Sequence, residues 1–362
     1  MIIIITEDDR NRQERKEEMK KFKFLTATAV LALALAACGS EEEAKTESTD
    51  TATEETAGTE TATETAAFPM TVSSLTTENT SEDGKATVFE DVTFETMPEK
   101  IVVFDTGFLD TLDALGVEGI VGVAKGSSGL PEHLAAKYES EEYANLGTLK
   151  DIDLEAVAAL EPDAIFISGR QTAFYEQLKE ITPNVVFIGS DNEDYIEGVK
   201  ESIDLAAKIF AKEEKAEELK TTLDTKVAEV AEKAAGYENA LVTMYNEKKI
   251  SGFDNGEDSR FAYVYNDFGF KPVTEDIEAS AHGSDFSYES VLAVDPEVLL
   301  IIDRTASDVE TIKAEIENDI IKQTRAYKEG NIVYLDGTTW YFGSLGATTE
   351  VSKVQEILDE LK

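Results

Sequence analysis

The chain has 362 residues, enough for two domains of ordinary size. Its 75 acidic residues against 33 basic ones give a formal net charge of −42, which argues against nucleic acid and anionic lipid head groups as partners. The single cysteine, Cys38, excludes a disulfide bond within the chain.

The N-terminal segment resembles a bacterial lipoprotein signal. The basic stretch Met19–Lys21 precedes the short apolar run Phe24–Ala37, and the sequence turns polar directly after Cys38. The run is shorter than a transmembrane helix needs, and its end resembles a lipobox, whose cysteine is diacylated before cleavage. A buried cysteine after a core helix and an uncleaved anchor stay as alternatives. Residues 1–18 fit no part of such a signal, so we expect Met19 to be the true start.

The segment from Gly39 to about Gly84 consists mainly of Glu, Thr, Ala and Ser. Such a composition cannot bury enough apolar surface to offset the entropy of ordering, so it predicts a disordered tether. A lipid followed by a long tether predicts a domain held off the outer face of the cytoplasmic membrane, an arrangement that suits a Gram-positive cell. Ordered structure is predicted to start near Ala86.

Beyond Ala86, apolar strands alternate with helices, which predicts parallel α/β layers. The predicted strands are Ile101–Phe104, Ile120–Val123, Ala164–Ile167, Asn184–Ile188, Ala240–Tyr245, Lys249–Phe253, Val298–Ile302 and Ile332–Leu335. The predicted helices are Gly107–Leu115, Ala173–Glu180, Asp194–Phe210, Lys212–Ala235, Ser259–Phe268, Asp308–Asn318 and Thr349–Leu361.

One 18-residue pattern occurs twice, 134 positions apart (153 to 287). Asp153–Arg170 and Ser287–Arg304 each contain a short helix, a proline and an apolar strand in that order, and six aligned residues are identical. This repeat indicates two similarly built halves. Each copy ends in an arginine, Arg170 or Arg304, just past the carboxyl end of its strand. Open α/β sheets bind ligands at that place.

The long helix predicted over Lys212–Ala235 lies between the two repeats. At about 1.5 Å per residue it spans roughly 36 Å, enough to cross from one lobe to another, although a surface helix within one lobe is the alternative. We therefore predict an α/β fold of two Rossmann-like lobes joined by a single long α-helix and closing by small tilts. The predicted boundaries are 1–37 for the extension and signal peptide, 38–85 for the lipidated cysteine and tether, 86–193 for the N-terminal lobe, 194–236 for the helices that include the interlobe helix, and 237–362 for the C-terminal lobe.

Arginine is scarce beyond the N-terminal segment, where Arg170, Arg260, Arg304 and Arg325 are the only examples. The guanidinium fork suits bidentate recognition of oxygens better than the point charge of lysine does. An isolated arginine is more often part of a surface ion pair, but two at matched positions of a repeat are not a random sample. If the lobes face each other, Arg170, Arg260 and Arg304 can converge on one cleft, and a ligand with about three negative charges on oxygens would compensate them.

Other residues are candidates for the cleft wall or for chemistry. His282 lies before a glycine in the second half, and Trp340 and Tyr341 lie in a late loop; for Trp340 a packed core position is an equal alternative. Only His133 and His282 are histidines, so a zinc site of three histidines is excluded. The nucleophile-elbow, Walker A and dinucleotide-binding patterns are absent from the sequence.

Several short stretches together point to a known family; they are Phe104-Asp105-Thr106-Gly107, Leu109–Gly116, the first repeat through Ile167–Gln171, Asp258-Ser259-Arg260, His282-Gly283, Asp303-Arg304 and Trp340-Tyr341. Through them the chain from about Ala86 onward resembles the substrate-binding lipoproteins of ABC importers for ferric siderophores, specifically the petrobactin- and catecholate-binding group. The resemblance implies two α/β lobes joined by one long helix. It also implies an iron(III)–catecholate complex held by three arginines, which correspond to Arg170, Arg260 and Arg304. Additional contacts are implied for His282, Trp340 and Tyr341, and residues 1–18 have no counterpart in that family.

The duplicated glutamates Glu155 and Glu289 each fall in the first turn of a predicted helix, where a carboxylate complements the helix dipole. That structural role could suffice. In the resembling family, however, a glutamate at this place on each lobe docks into a dimeric permease, and one per lobe suits a partner with two-fold symmetry. The implied partners are thus a ferric siderophore, an ABC permease dimer with its ATPase, and the membrane through a lipid on Cys38. We expect a monomer without a resident cofactor or metal.

Other functions stay open on the sequence alone. Haem, cobalamin and hydroxamate siderophores are alternative ligands for the same fold, although hydroxamate complexes carry less charge than the arginine trio favours. A protein that binds an uncomplexed transition-metal ion would need more histidines. A lipid-anchored hydrolase is the alternative of another class; His133 or His282 could serve as its base, but no nucleophile motif accompanies either.

Overall fold

The structure is a computed structural model that describes residues 66–81, 84–126, 129–189, 195–273, 277, 280–305, 307–343 and 345–362. All of them belong to one unit of the chain, Ala62–Lys362. The predictions on the signal peptide, on Cys38 and on the tether up to residue 65 lie outside the described residues. None of the described helices is long and apolar enough to cross a membrane.

Short strands and helices alternate through most of the described chain. The strands are β1 (Met70–Val72), β2 (Glu78–Thr80), β3 (Ala86–Val88), β4 (Val92–Phe94), β5 (Ile101–Val103), β6 (Ile120–Val123), β7 (Ala144–Asn145), β8 (Ala164–Ile167), β9 (Val185–Phe187), β10 (Ala240–Asn246), β11 (Lys249–Phe253), β12 (Ser284–Phe286), β13 (Val298–Asp303) and β14 (Ile332–Asp336). The α-helices are α1 (Thr106–Ala114), α2 (Glu132–Tyr138), α3 (Leu154–Leu160), α4 (Tyr175–Ile181), α5 (Tyr195–Phe210), α6 (Glu213–Ala234), α7 (Ala262–Asn266), α8 (Tyr288–Val294), α9 (Val309–Ile316), α10 (Arg325–Glu329) and α11 (Ala347–Glu360). The 3₁₀ segments Gly169–Phe174 and Ile321–Gln323 and the π-helical turn Thr338–Phe342 complete the set.

Two five-stranded sheets form the frame, one in each half. The first is parallel and has the order β7-β6-β5-β8-β9. The second has the order β12-β11-β10-β13-β14, with β10, β13 and β14 parallel and β11 and β12 antiparallel. The strands of the two repeats, β8 and β13, occupy the same place, beside the central strand. The prediction of two α/β lobes is confirmed.

The two repeats fold alike at the level of single residues. Asp153 and Ser287 cap α3 and α8, because each side chain accepts a hydrogen bond from the backbone N–H three residues on, at 2.9 and 3.0 Å. Both helices end on a residue with a left-handed backbone, Glu161 at φ 51° and Asp295 at φ 45°. A proline follows in both copies and stops the helix. Left-handed residues other than glycine are uncommon, so their recurrence at one place supports the duplication independently.

Regular structure begins earlier than the predicted start near Ala86. The strand β1 pairs with β4, and β2 pairs with β3, both antiparallel. The Leu75 N–H donates to the Phe187 carbonyl at 3.0 Å, and the rings of Phe89 and Phe187 stack at 4.1 Å. The stretch from Met70 is therefore part of the fold and not tether. Its few apolar residues, which the composition of the whole segment conceals, pack against the first sheet and its flanking core.

The helix α6, with 22 residues, connects the halves, as it follows α5 and leads directly into β10. Its length at about 1.5 Å per residue is roughly 33 Å. Leu223, Val230 and Ala234 are buried on one face of it. The C-terminal helix α11 packs along α6 and also against α1 of the first half. The single long connecting helix is thus braced by a second helix that contacts both halves.

A buried carboxylate on α1 holds the start of α11. Asp110 is 1% exposed and accepts hydrogen bonds from the backbone N–H groups of Thr348 and Thr349, at 2.7 and 2.8 Å. Its other oxygen lies 2.8 Å from Nε2 of His133. At Gly346 a Cβ atom would clash with the Asp110 carboxylate, so only glycine permits this approach. The cap ties the first half to the C-terminal helix through a charge placed at a helix N-terminus.

Some predicted helices differ in extent from the observed ones. The prediction Ser259–Phe268 shrinks to α7, because the chain enters it through turns at Ser259 and Phe261. The prediction Ala173–Glu180 becomes a 3₁₀ segment followed by α4. The elements α2, β7, β12 and α10 were not predicted. Each has two to seven residues, too few to establish a periodicity in sequence.

Candidate ligand-binding site

A cavity of about 470 Å³ lies where the carboxyl ends of the two sheets meet, and both halves contribute to its walls. Five of the six residues predicted to bind ligand line it: Arg170, Arg260, His282, Trp340 and Tyr341. The sixth, Arg304, is outside the cavity wall, but its guanidinium carbon lies 4.7 Å from the centre of the Tyr341 ring. The structure therefore brings all three arginines into one neighbourhood.

Arg170 is carried by the 3₁₀ segment that directly follows β8. Ser168 and Gln171 form a capping box around its start, in which the Ser168 backbone N–H donates to Oε1 of Gln171 at 3.1 Å. The amide nitrogen of Gln171 donates in turn to the carbonyl of Leu149. These bonds fix the turn on both sides of Arg170, so its side chain starts from a defined backbone.

Arg260 and Arg304 share the ring of Tyr341. The guanidinium carbon of Arg260 lies 4.4 Å from the centre of that ring, and its Nη1 donates to the Tyr341 carbonyl at 3.5 Å. The guanidinium groups of Arg260 and Arg304 both lie within cation–π distance of the Tyr341 ring. Burial lowers the pKa of Arg260, and the positive charge of Arg170 acts in the same direction. Arginine nevertheless stays protonated at neutral pH, so the cavity holds like charges close together.

The turn that carries Arg304 is fastened by the residue before it. Asp303, the last residue of β13, accepts hydrogen bonds from the backbone N–H groups of Thr305 at 2.9 Å and Ser307 at 2.7 Å. The Arg304 N–H donates to the Tyr245 carbonyl at 3.0 Å, which continues the pairing with β10. Arg170 in the first lobe and Arg304 in the second are thus both carried by turns that local hydrogen bonds fix.

The arginines differ in their carboxylate partners. Arg325 pairs with Glu238 at 2.7 Å on the surface. Within the described part of the chain, no carboxylate forms an ion pair with Arg170, Arg260 or Arg304. Asp105, which lines the cavity, affects Arg170 only at longer range: burial raises the pKa of the Asp105 carboxyl, and hydrogen bonds and the Arg170 charge offset part of that rise. Positive charge in the cavity is therefore left for a ligand.

Aromatic rings form another wall of the cavity. The rings of Tyr195 and Tyr263 stack at 4.1 Å with an interplanar angle of 10°, and those of Tyr263 and Trp340 lie 6.3 Å apart at 14°. Trp340 is 1% exposed, and its Nε1–H donates to Glu356 at 2.6 Å, so its polar edge faces the interior. Trp340 is therefore packed in the core, as one of the two alternatives had it, and it also lines the cavity, while a contact with ligand stays a prediction. Tyr195 and Tyr263 were not predicted, because they belong to helices far apart in the chain and carry no shared motif.

A buried ion pair lies behind this aromatic wall. Lys353 and Glu350 are both 0% exposed, and Lys353 Nζ lies 2.8 Å from Oε1 of Glu350. The lysine nitrogen is also 5.5 to 5.7 Å from the ring centres of Tyr195, Tyr263 and Trp340. Burial lowers the pKa of Lys353, and the Glu350 carboxylate opposes that change. Neither residue lines the cavity, so the pair contacts the rings from within the core.

The remaining predicted residues have different surroundings. His282 is exposed and lines the cavity, and the following Gly283 has φ 74°, where a Cβ atom would clash with Phe253 and Ser251. Glu155 and Glu289 are exposed in the first turns of α3 and α8 and do not line the cavity. Among the described residues, no group of three or more His, Cys, Asp and Glu side chains is placed to hold a metal ion.

Two α/β lobes, one long connecting helix and a ligand-sized cavity between the strand ends define a two-lobed binding protein. The chain belongs to the periplasmic binding protein family, whose sequence profile matches residues 101–339. It is 38% identical over 272 residues to the petrobactin-binding protein YclQ of Bacillus subtilis, covering 73% of this chain and 83% of YclQ. The crystal structure of YclQ matches with a TM-score of 0.69 and 35% identity, over 79% of this chain and 98% of that one.

Two further relatives have similar extents. The ferric-anguibactin-binding protein FatB of Vibrio anguillarum is 31% identical over 269 residues, which cover 72% of this chain and 82% of FatB. The structure of the periplasmic catecholate-siderophore binding protein VctP from Vibrio cholerae matches with a TM-score of 0.67 and 29% identity, over 79% of this chain and 99% of that one. All three of these relatives are named as binding proteins.

Proposed function

We propose that this chain binds an anionic iron(III)–siderophore complex of the catecholate type, similar to ferric petrobactin, outside the cytoplasmic membrane and delivers it to an ABC permease for iron uptake. The observation that carries the proposal is the set of three guanidinium groups, from Arg170, Arg260 and Arg304, that gather around one cavity without ion-pair partners among the described carboxylates. The names of YclQ, FatB and VctP support the same ligand class.

The chemistry of a ferric catecholate fits this cavity. Such a complex carries its negative charge on catecholate oxygens around the metal. Guanidinium forks can bond these oxygens while they stay coordinated to iron, so the protein need not supply a ligand to the metal. Tyr195 and Tyr263 also line the cavity and give it an aromatic wall against which rings of the ligand could pack. The protein would thus recognise the intact complex by charge and shape.

Three single substitutions test the proposal: Arg170→Gln, Arg260→Gln and Arg304→Gln. Each removes one charged hydrogen-bond donor, so we expect ferric petrobactin to bind roughly tenfold to a hundredfold more weakly in each variant. The fluorescence of Trp340, the only tryptophan, reports binding because its ring lines the cavity. The matched control is Arg325→Gln, which changes the net charge equally but removes an arginine that pairs with Glu238.

The outcomes separate the candidate ligands. Wild-type affinity in all three cavity variants would rule out the arginine-based assignment. Tighter binding of haem, cobalamin or a ferric hydroxamate than of ferric petrobactin would replace the ligand within the same fold.

The proposal extends to the membrane and the transporter. A lipid on Cys38 would anchor the protein to the outer face of the cytoplasmic membrane, with the polar segment after it as a spacer. Glu155 and Glu289 are exposed, stand at matched places on the two lobes and lie outside the cavity, which leaves them accessible to a two-fold symmetric permease while ligand is bound. The protein would act as a monomer, with the permease and ATPase on other chains.

A further inference from the structure

The cavity has a wall that was not anticipated from the sequence, the hairpin of β2 and β3. Asn79 in β2 lines the same cavity as Arg170. Its Oδ1 accepts a hydrogen bond from Oγ1 of Thr172 at 3.0 Å, and Thr172 lies on the 3₁₀ segment that carries Arg170. With Oδ1 engaged, the amide N–H groups of Asn79 have no hydrogen-bond partner in the described part of the chain.

The chain just before β2 is fixed to the carboxyl end of β9. The Thr76 hydroxyl donates to the Gly189 carbonyl at 3.1 Å, and the Phe187 N–H donates to the Ser74 hydroxyl at 3.0 Å. The backbone bond from Leu75 to Phe187 lies between them. The position of the hairpin is therefore set before a ligand arrives, which lowers the entropy that a contact with it costs.

We propose that Asn79 is a ligand-binding residue that donates its side-chain N–H to an oxygen acceptor of the bound siderophore complex, and that Thr172 is the positioning residue that orients the amide. This inference rests on the proposed function and assigns a contact on a different element from the three arginines. Thr172 is 1% exposed and donates its only hydroxyl proton to Oδ1, which turns the nitrogen of Asn79 away from it. A siderophore lacking an oxygen at this edge would leave the amide unpaired, so Asn79 would select among complexes of equal charge.

The test measures the affinity for ferric petrobactin and the thermal midpoint of variants on the hairpin. Asn79→Ala removes the donor and should weaken binding about tenfold. Asn79→Asp places a carboxylate against the anion and should weaken binding further. The matched control is Val88→Asp, which adds the same charge on the same hairpin at a side chain that is 62% exposed and outside the cavity wall. It should bind within about twofold of the wild type.

The positioning role has its own readout. Thr172→Val should reproduce part of the Asn79→Ala loss, and Thr172→Ser, which keeps the hydroxyl, should restore wild-type affinity. Equal affinity of Thr172→Val and the wild type would overturn the positioning role.

Two results separate this inference from the proposed function. If the wild type binds ferric petrobactin while Asn79→Ala and Asn79→Asp bind it equally well, the Asn79 contact is wrong and the proposed function stands. If the wild type binds no ferric siderophore at all, the proposed function fails, and this inference fails with it.

Discussion

Replacing Lys353 with methionine should destabilise the fold by about 3–5 kcal/mol. Methionine keeps most of the volume and the apolar stem, so the change isolates the charge. Lys353 and Glu350 are both 0% exposed, and Nζ lies 2.8 Å from Oε1. At an effective dielectric constant of about 20, two unit charges at this separation attract each other by roughly 6 kcal/mol. Removing the lysine leaves the carboxylate charged or forces it to take up a proton, and both cost free energy.

The second variant, Glu350→Gln/Lys353→Met, removes both charges and keeps an acceptor oxygen. In the wild type, Oε1 of Glu350 also accepts hydrogen bonds from the Tyr195 hydroxyl at 2.8 Å and from the Leu345 N–H at 3.0 Å. The glutamine carbonyl can retain these two bonds. We therefore expect the double variant to lie within about 1 kcal/mol of the wild type, because exchanging a buried ion pair for neutral groups of similar volume is often close to neutral.

Equilibrium unfolding in urea, followed by circular dichroism and by the fluorescence of Trp340, measures these free energies. Trp340 lies 5.7 Å from Lys353 Nζ, so its fluorescence also reports local rearrangement of the aromatic wall. A loss below about 1 kcal/mol for Lys353→Met would refute the reasoning, because it would mean that the pair is not electrostatically coupled. A double variant less stable than Lys353→Met would refute it as well.

Two further predictions concern the pH dependence of the His133–Asp110 hydrogen bond and the docking of the protein to its permease. The hydrogen bond to Asp110 raises the pKa of His133 above its ordinary 6.5, burial opposes this, and the charges of Asp110 and Asp113 add to the rise. The interaction of charged His133 with Asp110 therefore stabilises the fold fully below about pH 6.5, and this stabilisation is lost as the pH rises through the folded-state pKa of His133. The thermal midpoint of the wild type should fall between about pH 6 and about pH 8 for this reason, and His133→Gln should make the fall shallower in calorimetry. Identical slopes for the two proteins would contradict this. The variant Glu155→Ala/Glu289→Ala should bind ferric petrobactin normally but fail to support iron uptake in cells, and normal uptake would remove the docking role.

Elements with strong local patterns could be predicted from the sequence closely. The strands Ile120–Val123, Ala164–Ile167 and Lys249–Phe253 were predicted with the bounds that the structure has. The first two are apolar runs, and glycine, proline or charged residues stand near the ends of all three. The repeat added long-range information, because two copies of one pattern predicted two sheets with an arginine after the same strand of each. Arg170 and Arg304 were placed in this way without any knowledge of their contacts.

The remaining features depend on contacts that no local pattern encodes. The segment from Met70 to Val88 has a composition typical of a disordered chain, but β1 pairs with β4, β2 pairs with β3, and Leu75 is hydrogen-bonded to Phe187 at the end of β9. Asn79 therefore entered the cavity wall from a stretch predicted as tether. Tyr195 and Tyr263 stack across a separation of 68 positions (195 to 263), and neither has a neighbour that distinguishes it from other buried tyrosines. The same holds for the ion pair behind them, since glutamate and lysine three positions apart on a helix are ordinarily solvent-exposed.

The net charge of −42 conflicts with an anionic ligand only if charge is averaged over the molecule. Exposed charges are screened over about 8 Å at physiological ionic strength, so a ligand within the cavity responds mainly to the groups that line it. Lysine and arginine are used differently in this respect. Many lysines of the described chain pair with surface carboxylates, among them Lys137, Lys179, Lys200, Lys215, Lys220 and Lys226. Three of the four arginines beyond the N-terminal segment have no such partner among the described residues. The surface carboxylates pair with lysines and leave the guanidinium groups in and beside the cavity unpaired.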